Sequence, residues 1–222
     1  FFKGGGFSRD NLVENEGYPA ILYGDIYTQY EYKTSVITHY IDSEAYTASR
    51  KILKGDIVMA GTGETKDEIG KSILYMGEEI VAAGGDVIVF RPHDGINVEY
   101  LLYQLYSQTA LEHRYINGKG DIIVHIYPTA LGNAIITLPR SADQKEAVAR
   151  INEIIDQIKK VIAVLTEEFS VLREYRVRLI ADVVTGKIDV RGIEIPECEF
   201  VKETEDFEVD SEGIVEEELE NE

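Results

Sequence analysis

A repeat of apolar residues at every seventh position, between Ser141 and Gly186, constrains this chain more than any other feature of its sequence. Two positions of the repeat stay apolar along the whole segment, and only Arg176 interrupts them. These seam residues are Val148, Ile151, Ile155, Ile158, Ile162, Leu165, Phe169, Leu172, Leu179 and Val183. The spacing predicts a single coiled-coil helix that is about 60 Å long at 1.5 Å per residue.

The ends of this helix are marked by residues that commonly cap helices. Ser141 and Gln144 have the spacing of a capping box, in which the two side chains bond free amides of the first turn. Gly186 stands where a helix C-terminal glycine is expected. A helix of this length cannot bury its seam against a small domain alone, and the sequence offers no second helix of comparable length. The predicted seam therefore requires a helix from a partner.

The net charge of −19 is concentrated near the C-terminal end of the chain. Residues 203–222 contain eleven acidic residues and no basic one, which is typical of a solvated tail. The remainder is mildly acidic, so DNA binding would require a local basic patch or a basic partner.

Composition also disfavours several other classes of protein. Cys198 is the only cysteine, so an intrachain disulfide and a cysteine-based zinc site are excluded, and the four histidines are not spaced as metal ligands. No apolar run approaches the ~18 residues of a membrane span. The chain opens at Phe1 without a signal-peptide pattern, so we expect it to begin inside a longer product. A cytoplasmic protein without a bound metal is the simplest interpretation.

Residues 1–140 alternate β-branched runs with turn residues, which predicts a mixed α/β domain. Strands are expected within residues 53–60, 73–77, 79–83, 85–92, 121–127, 134–138 and 187–195, and a helix is expected over residues 97–107 with Asn97 as its N-cap. The predicted fold class is α+β. It comprises a globular domain at 1–140, a long coiled-coil helix at 141–186, and a short strand with an acidic tail at 187–222.

One segment of the domain imitates a nucleotide-binding loop. Gly63 and Gly70 precede Lys71 and Ser72, but six residues separate the two glycines where the phosphate-binding motif has four. The following residues are typical of a strand, so no helix N-terminus would be available to bind phosphate. A hairpin loop is the preferred interpretation. No set of nucleophile, base or paired carboxylates can be nominated, so the residues do not support catalysis by this chain.

Four segments, in order along the chain, carry a resemblance to a known family. They are residues 6–10 with 17–28, residues 53–58 with 62–65, residues 131–144, and residues 172–191. As an ordered set they resemble the specificity subunit of type I restriction-modification systems. Two positions depart from the family pattern, since Arg140 replaces a usual second proline and Asp143 replaces a usual glutamate before Gln144.

This resemblance implies a division of labour among several subunits. Residues 1–140 would form a target recognition domain that reads one half of a split DNA sequence. The long helix would act as a spacer and would dock the modification subunits, which bind S-adenosylmethionine and methylate adenine. A further restriction subunit would use ATP and Mg for translocation and cleavage. The present chain would then be a non-catalytic subunit without a cofactor of its own.

Family members usually contain two recognition domains and two long helices that pair in an antiparallel manner. This chain has one of each, so it resembles a half-length form or the second half of a longer subunit. The resemblance and the unpaired seam both predict a homodimer with antiparallel helices. Such a dimer would read an interrupted palindrome.

The candidate DNA contacts are polar, basic or aromatic residues in predicted loops, because such side chains bond phosphates and base edges. They are Ser8, Arg9, Tyr27, Thr28, Lys33, Lys66, Arg91 and His93. For each one the alternative is a solvated or half-buried side chain with no such role. For the whole chain the alternative is a coiled-coil dimeric scaffold without DNA binding, which the negative charge favours.

Overall fold

The computed structural model of the chain describes residues 1–14 and 16–193. The acidic tail predicted at 203–222 and the end of the strand predicted at 187–195 therefore lie outside the described residues. The chain divides into two compact units, residues 1–161 and residues 162–222, and the division falls inside the long helix. Within the described ranges, no helix combines the length and the apolar character needed to cross a membrane.

The first unit contains short strands, short helices and the beginning of the long helix. The strands are β1 (Phe2–Lys3), β2 (Tyr18–Ile21), β3 (Lys33–Thr34), β4 (His39–Ile41), β5 (Arg50–Ile52), β6 (Ile57–Ala60), β7 (Thr62–Gly63), β8 (Ser72–Tyr75), β9 (Val81–Ala83), β10 (Val87–Phe90) and β11 (Val124–His125). The helices are α1 (Tyr23–Thr28), α2 (Ser43–Ala48), α3 (Val98–Leu105), α4 (Gln108–Asn117), α5 (Pro128–Leu131) and α6 (Ser141–Val184). A mixed α/β domain followed by a long helix is confirmed as the fold class.

Two larger sheets and one small ribbon organise the domain. The first sheet has the strand order β1-β10-β6-β8-β3, in which β6 lies antiparallel between β10 and β8. The second sheet has the order β4-β2-β9-β5, with β2 and β9 parallel. Strands β7 and β11 pair separately. Predictions of strands around residues 57–60, 73–75, 81–83 and 87–90 are confirmed.

The central strand β6 is apolar at every position because both of its faces are buried. Val58 and Ala60 pack in a cluster with residues of the second sheet, including Ile21. The alternate residues Ile57 and Met59 pack in another cluster with side chains of α3. Successive strand residues point to opposite faces, so burial on both sides requires an uninterrupted apolar run.

Helix α3 forms where the sequence predicts it. The Asn97 side chain accepts a hydrogen bond from the Tyr100 backbone N–H at 3.0 Å, which is the predicted N-cap. Leu101, Leu102 and Leu105 are buried on the face that packs beneath the first sheet.

Two predicted strands are wrong. Residues 134–138 form no strand, because side chains of α3 bond the backbone of Thr137 instead. Its N–H donates to Gln104 Oε1 at 3.2 Å, and its carbonyl accepts from the Tyr100 hydroxyl at 3.1 Å. In the described part of the other segment, residues 187–193, the chain turns and forms no strand, with the N–H groups of Lys187 and Ile188 bonding the Asp182 carbonyl.

Helix α6 begins at the predicted residue and ends two residues before the predicted end. Gly186 follows it with a φ of 75°, and its N–H bonds the Val183 carbonyl at 3.0 Å, as expected for a C-terminal glycine. The predicted capping box is wrong. The buried Gln144 side chain donates to the Pro139 carbonyl at 2.7 Å and accepts from the Asn97 N–H at 3.0 Å, so it bonds the domain and not the Ser141 amide.

The seam of α6 changes from covered to exposed along its length. Val148 is buried, and Ile151 and Ile155 are half-buried, within the first unit. In the second unit, taken by itself, Ile162, Leu165, Phe169 and Leu172 expose 55–63% of their surface.

Candidate nucleic-acid interface

A groove of about 490 Å³ opens on the first unit beside the C-terminal end of β6. Its lining residues are Arg9, Tyr23, Gly24, Tyr27, Thr28, Thr62, Gly63, Glu64, Glu68, Lys71 and Ile123. These come from α1, from the short 3-10 helix at Arg9–Asn11, from β7 and the segment that follows it up to β8, and from the residue before β11. Three of the predicted contact residues, Arg9, Tyr27 and Thr28, are brought together here, although they are separated by up to nineteen positions in the chain.

Tyr27 forms one wall of this groove through a close contact with backbone. Its hydroxyl donates to the Glu68 carbonyl at 3.3 Å. A Cβ at Gly63 would lie 2.6 Å from that hydroxyl, so a larger residue there would require the Tyr27 side chain to shift. Burial raises the pKa of Tyr27 well above its ordinary value, and negative charge on Glu68 adds to the effect. The hydroxyl therefore remains a neutral hydrogen-bond donor.

Lys71 supplies a second cation that was not among the predicted contacts. Its ammonium group donates to the Tyr27 carbonyl at 3.0 Å and lies 5.9 Å from the centroid of the Tyr27 ring. Burial lowers the pKa of Lys71, while the nearby carboxylates of Glu68 and Glu31 partly restore it. The residue directly precedes β8, so its position in the sequence does not indicate that it would reach a groove.

The loop that carries Lys71 is supported by a buried arginine. Arg114 is only 3% exposed, and its Nη1 donates to the Gly70 carbonyl at 2.6 Å and to Ser72 Oγ at 3.3 Å. Burial lowers the pKa of Arg114. Gly70 has a φ of 74°, and a Cβ there would lie 2.7 Å from Arg114 Cδ. The turn before β8 therefore depends on glycine for both its backbone conformation and its packing.

Ser8 belongs to an adjoining cavity of about 450 Å³ that shares Arg9, Tyr23 and Gly24 with the groove. The Ser8 hydroxyl already caps the 3-10 helix, since it accepts from the Asp10 N–H at 3.4 Å. Arg9 lies between the two cavities, with Nη2 3.4 Å from the position that a Cβ would take at Gly24.

The other predicted contact residues lie elsewhere on the domain. Lys66 is in the loop between β7 and β8 but does not line the groove. Lys33 is on the edge strand β3, where it forms an ion pair with Glu99. His93 is exposed in the loop after β10. Their roles in DNA contact stay predictions.

Arg91 has a structural partner that the sequence did not indicate. Its guanidinium forms two hydrogen bonds with the buried Asp56 carboxylate, at 2.8 and 2.6 Å, and this contact raises the pKa of Arg91. Phe90 pairs with Ile57 at the start of β6, so Arg91 and His93 lie at the opposite end of the sheet from Thr62. The structure does not bring these two residues to the groove.

The groove offers groups that recognise nucleic acid. Arg9 has a planar fork of donors suited to guanine or phosphate, whereas Lys71 presents a single point charge. The Tyr27 and Thr28 hydroxyls donate to the Glu68 and Gly24 carbonyls, at 3.3 and 3.0 Å, so each would have to exchange that partner to donate to phosphate. The carboxylates of Glu64 and Glu68 can accept from cytosine. Among residues 1–14 and 16–193, no cluster of three or more His, Cys, Asp or Glu could hold a metal ion.

Sequence comparison identifies the family. The type I restriction modification DNA specificity domain matches residues 1–167, which include the whole globular domain and more than half of α6. The chain belongs to this family. The resemblance drawn from the four sequence segments is thereby confirmed, although the fourth segment, at 172–191, lies beyond the match.

A solved structure described as showing the complex assembly and conformational transition of the type I R-M system has a similar fold. The TM-score is 0.61 at 17% sequence identity, and the similarity covers 82% of this chain. The chain spans 42% of the length of that protein. Comparison with curated protein sequences gave no significant match.

Proposed function

We propose that this chain is the DNA-recognition subunit of a type I restriction-modification complex and is itself non-catalytic. The observation that carries the proposal is the family match over residues 1–167, because it includes every element that builds the groove. The groove adds a physical reason, since it places a guanidinium, an ammonium and two hydroxyls on one concave surface.

In this proposal the globular domain reads one half of a bipartite DNA target. Arg9 contacts a base edge, Lys71 neutralises a phosphate, and Tyr27 and Thr28 position the backbone. The chain is acidic overall, and in the groove Glu64 and Glu68 balance the charges of Arg9 and Lys71, so binding there depends on direct contacts of the two cations and not on net positive charge. Ser8, Lys66, Lys33, Arg91 and His93 are secondary candidates.

The helix α6 acts as spacer and docking element in this scheme. The exposed apolar seam in residues 162–183 favours a homodimer through antiparallel helices, because a second copy supplies an identical seam. The methyltransferase subunits dock on the paired helices, and a restriction subunit completes the assembly. S-adenosylmethionine, ATP and Mg are bound by those partners, with none assigned to this chain.

Selection from a randomised duplex DNA library tests the proposal. The purified chain is used alone and together with its methyltransferase subunits. Enrichment of an interrupted palindrome is the expected result. An asymmetric split site would contradict the homodimer while supporting DNA recognition, and failure to enrich any sequence in either condition would favour the scaffold alternative.

A further inference from the structure

The first turns of α6 are joined to the globular domain by a cluster of polar side chains from three elements. We call this cluster the helix clamp, and its members are Lys33 of β3, Glu99 and Tyr103 of α3, and Asn152 of α6. All four lie in the first unit of the chain.

Asn152 is the centre of the helix clamp because both ends of its amide are used. Its Oδ1 accepts from Lys33 Nζ at 3.1 Å and from the Tyr103 hydroxyl, and its Nδ2 donates to Glu99 Oε1 at 2.8 Å. Lys33 and Glu99 complete the ring with an ion pair. The Lys33 ammonium also lies 5.7 Å from the centroid of the Tyr103 ring. Each donor has an acceptor, so the network specifies one geometry.

Contacts on either side of the helix clamp extend it along one face of α6. Gln144 bonds the Asn97 amide, Val148 is buried, and Lys159 forms an ion pair with Glu31. The helical positions 144, 148, 152 and 159 follow one another by four, four and seven residues, which places them on one face.

The hydrogen bonds of the helix clamp fix the rotation and tilt of the first turns of α6 on the globular domain, in addition to stabilising their contact. Apolar packing by Val148 alone would tolerate rotation and tilt of the helix, because hydrophobic contacts have little directionality. Hydrogen bonds weaken steeply when their angle changes, so the amide of Asn152 resists such motion. From Asn152 to Val184 the helix continues for about 48 Å at 1.5 Å per residue, so a tilt of about 10° at the helix clamp moves its far end by about 8 Å, or between two and three base-pair steps.

We propose that the helix clamp determines how many base pairs separate the two halves of the DNA target. The inference rests on the proposed function, in which two recognition domains are held apart by their helices. Lys33 is then a positioning residue that acts through Asn152, a role separate from its predicted contact with DNA.

The test compares target selection by the wild-type chain and by an Asn152→Ala variant. The library contains the wild-type half-site sequences separated by gaps of every length within one helical turn of DNA. Wild type should enrich one gap length. N152A should recognise the same half-site bases. Its enrichment of the preferred gap length relative to neighbouring gap lengths should fall about tenfold, which is the effect expected from the loss of one or two hydrogen bonds.

Two further variants make the result decisive. Arg150→Ala removes an exposed side chain from the opposite face of the same helix segment and should leave the gap preference unchanged. Tyr103→Phe removes only one donor to Asn152, so it should widen the range of accepted gap lengths less than N152A does. Thermal melting of each variant reports whether the domain still folds.

The outcomes separate this inference from the proposed function. Unchanged gap preference in N152A, with half-site recognition intact, overturns the helix clamp inference and leaves DNA recognition standing. A wild-type chain that tolerates many gap lengths overturns it as well. If N152A loses half-site recognition altogether, the Y103F result is used instead. A wider range of accepted gap lengths in Y103F supports the inference, and an unchanged range overturns it. Absence of any wild-type enrichment is instead a failure of the proposed function.

Discussion

At the scale of single residues, the two cations of the groove should have different effects on DNA binding. Arg9→Ala should cost about 1–3 kcal/mol on the cognate site and relax specificity at one base pair, because the guanidinium fork can bond two acceptors of guanine. Lys71→Ala should weaken binding to all sequences and lower the salt slope by about one unit, because an ammonium group neutralises one phosphate. Binding titrations at several salt concentrations, on cognate and single-substituted duplexes, measure both effects.

Lys54→Ala is the matched control for this pair of variants. Lys54 also carries one positive charge, but it lies in the turn before β6, at the sheet end away from the groove, and forms an ion pair with Glu78. Its loss should change neither affinity nor specificity beyond a small electrostatic effect. If Lys54→Ala weakens binding as much as Lys71→Ala, general charge rather than the groove attracts DNA.

Individual groove residues can be predicted from the sequence only where the local segment itself forms the groove. Arg9, Tyr27 and Thr28 lie in or next to short helical turns that end at the groove. Arg91 stands among the predicted contacts because its partner, Asp56, is thirty-five positions away and cannot be inferred from spacing. Lys71 is not among the predicted contacts, because tertiary packing alone brings its ammonium group to Tyr27 and nothing in the local sequence indicates this contact.

At the scale of elements, the turn before β8 should depend strongly on one glycine. Gly70→Ala should destabilise the domain by about 1–3 kcal/mol through backbone strain at a φ of 74°, with a further loss from crowding against Arg114. Gly55→Ala is the comparison, because Gly55 has a similar φ of 87° and no atom within 4 Å of an added Cβ. Chemical denaturation of both variants should show the larger loss for Gly70→Ala. Equal losses would mean that Arg114 moves aside without cost.

Which elements can be predicted depends on how much of each is buried. Strand β6 is predictable because burial of both its faces requires an uninterrupted apolar run. Helix α3 is predictable because burial of one face requires an apolar stripe, and Asn97 marks where the helix begins. Helices α2 and α4 are not among the predicted elements, because each buries few side chains and so lacks a clear apolar stripe. The only local sequence signal of each is its polar N-cap, Asp42 for α2 and Ser107 for α4. Residues 134–138 have the composition of a strand, but side chains of α3 form hydrogen bonds with the backbone of Thr137, which a neighbouring strand would otherwise bond.

At the scale of the whole molecule, the sequence and the structure agree that the long helix exceeds what its own domain covers. The division between the two units falls at Val161, twenty residues inside α6, because the first turns of the helix pack on the domain. The predicted domain boundary at 140 falls at the start of α6 and the one at 186 lies two residues beyond its end, and both stay proposals. The exposed seam beyond residue 161 is a property of the heptad pattern, and for this reason the order of apolar residues along the chain is sufficient to predict it.

The exposed seam of α6 requires a second helix, which the proposed dimer supplies. Leu165→Lys should convert the proposed dimer into a monomer, because each lost leucine removes about 1.5–3 kcal/mol of burial and a symmetric dimer contains the substitution twice. The combined loss of about 3–6 kcal/mol weakens association by at least about 100-fold. Sedimentation velocity over a range of protein concentrations measures this change.

Ser170→Lys provides a control with the same change of charge at an exposed position on the other side of α6. It should remain as dimeric as the wild type, since the helical spacing places residue 170 away from residues 165, 169 and 172. A Leu165→Lys chain that stays dimeric would refute pairing through the seam. A monomeric Leu165→Lys chain that still binds a single half-site, without preference for any gap, would instead separate the two tasks that this proposal assigns to the domain and to the helix.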